Sequence, residues 1–182
     1  MKLRLRLLII VGSIFLAGCQ TSMPNSTPLV DDFDLERFMG DWYVIANIPT
    51  FLEKEAHNAV ESYALEADKT VATAFRFRKG AFDGPLKVYN PTGFVNKENN
   101  AVWGMQFVWP IKAEYLVMYV DPTYQHTIIG RSKRDYVWIM AREPRISEED
   151  YRELVNIVRQ AGYDTENLQR VPQRWPEAGD VE

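Results

Sequence analysis

Few side chains in this 182-residue sequence have chemistry to offer beyond packing: two histidines, one cysteine and a handful of acids near aromatic residues. His57 and His126 are far apart in the chain, and neither stands at ligand spacing from another histidine or a cysteine, so no metal site is expected. His126 follows Asp121 closely enough to imagine an acid–base dyad, yet a histidine beside a turn reads better as a surface group. There is no G-x-S-x-G elbow and no catalytic cysteine, so no catalytic residue is assigned and no cofactor is expected. Glu61 is the exception. In "AVESYAL" it alternates with Ala59, Tyr63 and Leu65, which sets a carboxyl on an otherwise apolar strand face. An enzyme built on this chain, a lipid hydrolase or isomerase for instance, would have to use Glu61.

The cysteine points to a different chemistry. Lys2, Arg4 and Arg6 precede an apolar run from Leu7 to Leu16, too short to span a bilayer, which takes about 20 apolar residues. This is the pattern of a secretory signal, and it ends in Leu16-Ala17-Gly18-Cys19, which resembles a bacterial lipobox. The resemblance implies cleavage before Cys19, a diacylglycerol on its sulfur and an N-palmitoyl chain on the new amino group. Several acyl chains anchor firmly where one binds marginally, each buried methylene contributing ~0.8 kcal/mol. Gln20 replaces the aspartate that retains such lipoproteins in the inner membrane, so the expected location is the outer membrane, facing the periplasm. Residues 20–30 are mostly polar with two prolines and read as a poorly ordered tether. The expected organisation is a signal peptide at 1–18, a lipidated tether at 19–32, one domain at 33–175 and a tail at 176–182. Without the signal the chain keeps 18 basic residues against 25 acids, a net charge of −7, which argues against nucleic acid as a partner.

The elements that must position these groups are strands. After a short helical turn from Asp34 to Gly40, apolar residues recur at every second position. Eight strands are predicted near 41–49, 58–67, 70–79, 84–95, 101–109, 113–121, 124–132 and 135–142. Short turn sequences join them, so neighbours pair antiparallel and close into a barrel without exposed edges. The first link, "PTFLEKEAH", is longer and carries Phe51 and Leu52, as a lid over a barrel mouth would. Ser147 caps a helix with Glu148, Glu149 and Asp150 in its first turn, and Gly162 ends it. Its stripe of Tyr151, Leu154, Val155 and Val158 must be buried against the barrel's outer wall. The predicted fold is therefore all-β, an eight-stranded antiparallel up-and-down β-barrel with one C-terminal α-helix packed outside.

Alternation divides each strand into two faces. Arg76 and Arg78 face water, which turns Val71, Thr73, Phe75 and Phe77 inward. The same reasoning turns Tyr63 and Glu61 inward, with Trp103, Met105, Phe107 and Trp109 from the next long strand. It adds Tyr115, Val117 and Tyr119, and then Tyr136, Trp138 and Met140. Leu116, Met118 and Val120 are left to contact the helix. An eight-stranded barrel is just wide enough to be packed solid or to hold one small ligand. Interior tyrosines and Glu61 favour a cavity, because polar groups in a dry core need partners.

Three motifs at this spacing resemble the lipocalin family, and among its members the bacterial outer-membrane lipoproteins: Gly40-Asp41-Trp42-Tyr43, "YVDPTY" at 119–124, and Arg142 in "IMAREP". The middle motif departs from the family pattern, with Val120 in place of threonine and an extra residue before Tyr124. The resemblance implies that Trp42 closes the narrow end of the barrel under the Arg142 guanidinium. It also implies an outer-membrane-anchored protein that binds, stores or transports a lysophospholipid or fatty acid for membrane maintenance. Because homodimers are common among soluble proteins, a homodimer is kept as an addition. The residues expected to line the ligand site are Tyr63, Phe75, Phe77, Trp103, Met105, Phe107, Tyr115, Val117, Tyr119, Trp138 and Met140. The alternatives are a lipid-modifying enzyme using the same cavity, or a filled barrel that serves as a structural lipoprotein.

Overall fold

The computed structural model of this chain describes residues 27–177. The expected signal peptide, Cys19 and residues 178–182 of the expected tail lie outside the described residues. The strands are Gly40–Ile48 (β1), Ala56–Leu65 (β2), Thr70–Lys79 (β3), Leu86–Tyr89 (β4), Thr92–Val95 (β5), Val102–Val108 (β6), Ile111–Val120 (β7), His126–Gly130 (β8), Val137–Ala141 (β9) and Gln169–Arg170 (β10). The helices are Leu35–Phe38 (α1) and Glu148–Gln160 (α2), with a 3-10 turn at Thr165–Asn167.

Strands adjacent in the wall pair antiparallel, and β1 also pairs with β9, setting Tyr43 opposite Ala141 and Ile48 opposite Val137. That last pairing closes the sheet into the expected barrel of eight wall positions. One position is split. The strand predicted over 84–95 breaks at Asn90-Pro91, where proline has no N–H to donate to a ladder. Its first half, β4, pairs with the upper part of β3, and its second half, β5, with the lower part. Among the described strands β4 has no other partner, so the wall is notched beside the mouth between β4 and β6.

Apolar residues sort into an inner and an outer cluster, as alternation requires. Trp42, Tyr63, Phe75, Trp103, Met105 and Met140 belong to the inner one. Leu116, Met118, Ile128 and Ile139 form the outer one with Leu154 and Val158 of α2, and Tyr151 and Val155 pack at its margin. Ser147 caps α2, its Oγ accepting the Asp150 N–H at 3.0 Å. Gly130 is required between the layers: a Cβ there would lie 2.1 Å from the Met118 sulfur and 2.3 Å from Tyr163 Oη. Tyr163 uses that space to accept the Arg131 N–H at 2.7 Å and donate to the Arg131 carbonyl at 2.8 Å.

Strict alternation fails in β7. A bulge between Val117 and Tyr119 inserts one residue against β8, and everything beyond it changes face. Tyr119, expected inside, therefore packs with the outer cluster, and Val120, expected on the helix side, packs with the inner one. Trp109 is likewise outside the barrel, 82% exposed at the tip of the β6–β7 hairpin.

The narrow end is closed as the motifs imply. Trp42 is fully buried, its indole N–H donating to the Phe38 carbonyl at 2.8 Å. The Arg142 guanidinium lies 3.8 Å from the centre of the Trp42 ring. Its Nη1 donates to the Asp41 carbonyl at 2.8 Å, and Nη2 reaches the carbonyls of Arg37, Phe38 and Met39 at 2.9, 3.1 and 2.9 Å. The guanidinium thus satisfies the C-terminal carbonyls of α1 that have no helical partner. Gly40, at φ +96°, makes the turn from α1 into β1 in a region costly for any other residue.

Contacts run past both expected domain ends. Val30 donates its N–H to the Val117 carbonyl at 3.1 Å and packs on the inner cluster, so the final residues of the expected tether are docked. At the other end Glu177 bonds Arg78 at 2.9 Å. Arg142→Ala is expected to lower unfolding free energy by about 3 kcal/mol, the scale of losing several charge-assisted hydrogen bonds. Arg142→Lys should recover little, because an ammonium cannot span these carbonyls. Urea denaturation measures both, and an unchanged midpoint in Arg142→Ala would remove Arg142 from the account of closure.

Candidate functional site

The barrel is solid below and hollow above. Below, Phe38 from α1 rises into the barrel with its ring 4.9 Å from Trp42, 5.5 Å from Tyr63 and 5.7 Å from Trp103. Trp103 stacks on Tyr115 at 5.0 Å. Above this layer a cavity of about 500 Å³ opens towards the β1–β2, β6–β7 and β8–β9 loops, within the size range of small-molecule sites.

Of the expected ligand-site residues, Phe75, Met105, Phe107, Tyr115 and Trp138 line this cavity. Tyr63, Trp103, Val117 and Met140 are buried in the packed layer, and Phe77 is sealed against Phe75 and Tyr89. Tyr119 is removed from the interior by the β7 bulge. Its position next to the β7–β8 turn also sets it at the closed end, away from any mouth contact. Phe107 stands at the rim, 47% exposed. The first loop lies over the mouth as expected, with Thr50, Phe51, Leu52 and Glu53 on the cavity.

Glu61 does face the cavity, at its inner end. Tyr63 donates its hydroxyl proton to Glu61 Oε2, and the Tyr63 and Tyr115 hydroxyls are 2.6 Å apart. Burial in apolar surroundings, opposed by the Tyr63 hydrogen bond and helped by the nearby Glu53 charge, pushes the Glu61 carboxyl up from its ordinary 4.5 to about 7. Burial also raises both tyrosines well above their usual range.

The sequence brings Glu53 to the mouth only as part of the lid loop Phe51 to Lys54, and does not reach Arg131. Glu53 is 4% exposed; Oε1 accepts the Thr50 N–H at 2.9 Å and Oε2 the Trp138 indole N–H at 2.9 Å. It ties the first loop to β9 across the mouth. The available signal was an acid directly following Phe51 and Leu52 in a loop read as a lid. Arg131, after β8, borders the cavity and pairs with Asp135 at 3.3 Å, while its buried Nε has no hydrogen-bond partner among the described residues. Nothing in its sequence surroundings marked it.

The imagined dyad has another role. Asp121 accepts the backbone N–H groups of Thr123, Gln125 and His126 and so builds the β7–β8 turn, with His126 Nδ1 at 3.7 Å. It lies at the closed end, apart from the cavity.

A closed barrel with an external helix, a plugged floor and an apolar cavity is the architecture of a protein that binds small hydrophobic ligands. A lipocalin-like domain matches residues 33–173, and the chain belongs to that family. Temperature-induced lipocalin-1 of Arabidopsis thaliana is 32% identical over 152 residues, 80% of this chain and 82% of that one. Outer membrane lipoprotein Blc of Escherichia coli K12 is 27% identical, covering 78% of this chain and 80% of its own. The structure of insecticyanin from the tobacco hornworm Manduca sexta superposes with a TM-score of 0.66 at 14% identity, over 86% of this chain and 88% of the other.

Glu61 makes stability depend on pH. The folded state holds this proton up to about pH 7, whereas the unfolded chain releases it near 4.5, so stability falls as pH rises through that window. Glu61→Gln, which stays neutral, is expected to leave stability at pH 4 nearly unchanged and to raise it at pH 8 by roughly 3 kcal/mol. Thermal unfolding at the two pH values checks this, and equal shifts at both would contradict it.

Proposed function

We propose that this protein binds one single-chain lipid, of the class that includes lysophospholipids and fatty acids, in the upper half of the barrel. The carrying observation is the 500 Å³ cavity lined by Phe75, Met105, Phe107, Tyr115 and Trp138. Burying ten methylenes there contributes about 8 kcal/mol before association costs of several kcal/mol, so affinity in the micromolar range is expected. A second acyl chain would need space that the packed layer of Phe38, Tyr63 and Trp103 already fills.

Tethering adds location to this activity. The lipobox-like Leu16-Ala17-Gly18-Cys19 and the similarity to Escherichia coli outer membrane lipoprotein Blc both favour lipidation at Cys19 and residence in the outer membrane, facing the periplasm. A carrier held there exchanges lipid with the adjacent bilayer. Because an acyl chain gains little by leaving one apolar medium for another, it would select by head group and by the ease with which a lipid leaves the membrane. Single-chain lipids satisfy the second condition.

The enzyme alternative has one group to use, Glu61, and that carboxyl is already engaged by Tyr63. The binding reading accounts for the site without a reaction.

Trp138 on the cavity wall reports occupancy. Titration with a lysophospholipid or oleate is expected to quench tryptophan fluorescence and saturate at one lipid per chain. Phe107→Asp, at a half-exposed rim position where folding cost is about 0.5 kcal/mol or less, should weaken binding about tenfold or more. Absence of any saturable change would overturn the proposal. Turnover of the lysolipid that disappears in Glu61→Gln would establish the enzyme instead.

A further inference from the structure

When Glu61 is ionised, the tyrosine hydroxyls at the inner end of the cavity spend their protons within the Tyr115–Tyr63–Glu61 chain. Tyr63 has a single hydroxyl proton and gives it to Glu61 Oε2. The Tyr115 hydroxyl, 2.6 Å from Tyr63 Oη, can then only donate to that oxygen. Thr73 directs its hydroxyl to the Val71 carbonyl at 3.5 Å. With Glu61 ionised, what the inner end of the cavity presents is lone pairs: those of Tyr115 Oη and of Glu61 Oε1, which accepts no hydrogen bond among the described residues.

Charge points the same way. Three carboxyl groups, Glu53, Glu61 and Glu114, border the cavity, and among the described residues none has a basic partner within ion-pair distance; Glu114 accepts from the Ser132 N–H and hydroxyl. The groups around Glu61 are Tyr63 on its own strand, Tyr115 from β7, Glu53 from the first loop, and the uncharged Trp42 and Phe75 opposite it on β1 and β3. Arg142 lies beyond Trp42, under the floor. Arg131 borders the cavity but pairs with Asp135. A buried carboxylate without a counter-charge is costly, and a ligand that supplies one recovers that cost.

The polarity gradient gives an orientation. On the side of the β1–β2 and β6–β7 loops the rim is apolar and exposed, with Phe51 at 78%, Val108 at 69%, Ile111 at 70% and Phe107 half in and half out, while on the β8–β9 side Arg131 and Glu114 are engaged by Asp135 and Ser132. A chain bound tail-inward would press a methyl group on Glu61 and hold its head among these side chains. The reverse orientation satisfies both ends.

Resting on the single-chain-lipid reading above, we infer that the cavity takes its ligand head-inward and that Glu61 and Tyr115 form a subsite for a protonated amine on a single-chain amphiphile. The ammonium donates to Glu61 Oε1 and Tyr115 Oη, and the alkyl chain leaves through the rim between Phe51 and Phe107. Glu61 must be ionised in this complex, so amine affinity rises with pH through neutrality while the amine itself stays protonated. A carboxylate head would meet Glu61 as a like charge, and its affinity falls over the same range.

Dodecylamine, dodecanoic acid and dodecanol, matched in chain length and differing in head group, test this by tryptophan fluorescence titration of the full chain at pH 5.5 and 8. At pH 8 dodecylamine is expected to bind about tenfold or more tightly than either of the others, and to lose that advantage at pH 5.5. Glu61→Gln, whose fold is checked by thermal unfolding, should reduce the amine preference to near unity while retaining dodecanol binding. Tyr115→Phe should lower it in part. If dodecanoic acid binds as tightly as the amine at pH 8, or if Glu61→Gln leaves the preference unchanged, the amine subsite is wrong and the single-chain reading stands. If none of the three binds, both fall.

Discussion

One guanidinium joins the two ends of the barrel wall. Arg142 follows the last strand, lies over Trp42 of the first, and holds the carbonyls of Arg37, Phe38, Met39 and Asp41 at the point where the chain enters β1. With the wall closed by β1 and β9, the interior becomes a separate compartment. Phe38 can then be delivered from below into contact with Trp42, Tyr63 and Trp103, filling the lower half. The cavity exists above because this plug is complete: its floor is the upper surface of a packed aromatic layer, and its depth is set by where that layer stops.

The same division explains why an acid survives inside. Glu61 sits at the boundary, where Tyr63 of the packed layer can give it a hydrogen bond and the cavity leaves its other oxygen open. Two residues deeper, at the position of Tyr63, it would be surrounded by Phe38 and Trp103 with no room for a ligand. One residue along the strand in either direction its face would point outward. A carboxyl so placed costs stability when ionised, and a cost retained at a cavity surface is characteristic of a group kept for what it binds.

Much of this was legible in the sequence, for reasons that can be traced to particular residues. Alternation in "VATAFRFRK" fixed Phe75 inside because Arg76 and Arg78 had to be outside, and the lipocalin resemblance carried by Trp42 and Arg142 implied the floor. The failures arose where local pattern and backbone geometry part. The β7 bulge reverses Tyr119 and Val120, and both faces of that strand are apolar, so no polar residue betrayed the change. Pro91 split one strand that alternation read as continuous. Depth was the other blind quantity: Tyr63, Trp103 and Met140 do face inward, but the sequence holds no sign that Phe38 fills the space in front of them. Glu53 and Arg131 come from loops, where side-chain direction follows from tertiary contacts rather than period.

On the proposed reading, the barrel's upper half holds one acyl chain and no more. Native mass spectrometry of the full protein titrated with a lysophospholipid is the sharpest check. A single adduct that saturates at one lipid per chain is expected as concentration rises. Successive adducts growing without a plateau, as surface adsorption gives, or a barrel that stays ligand-free at saturating lipid, would contradict it.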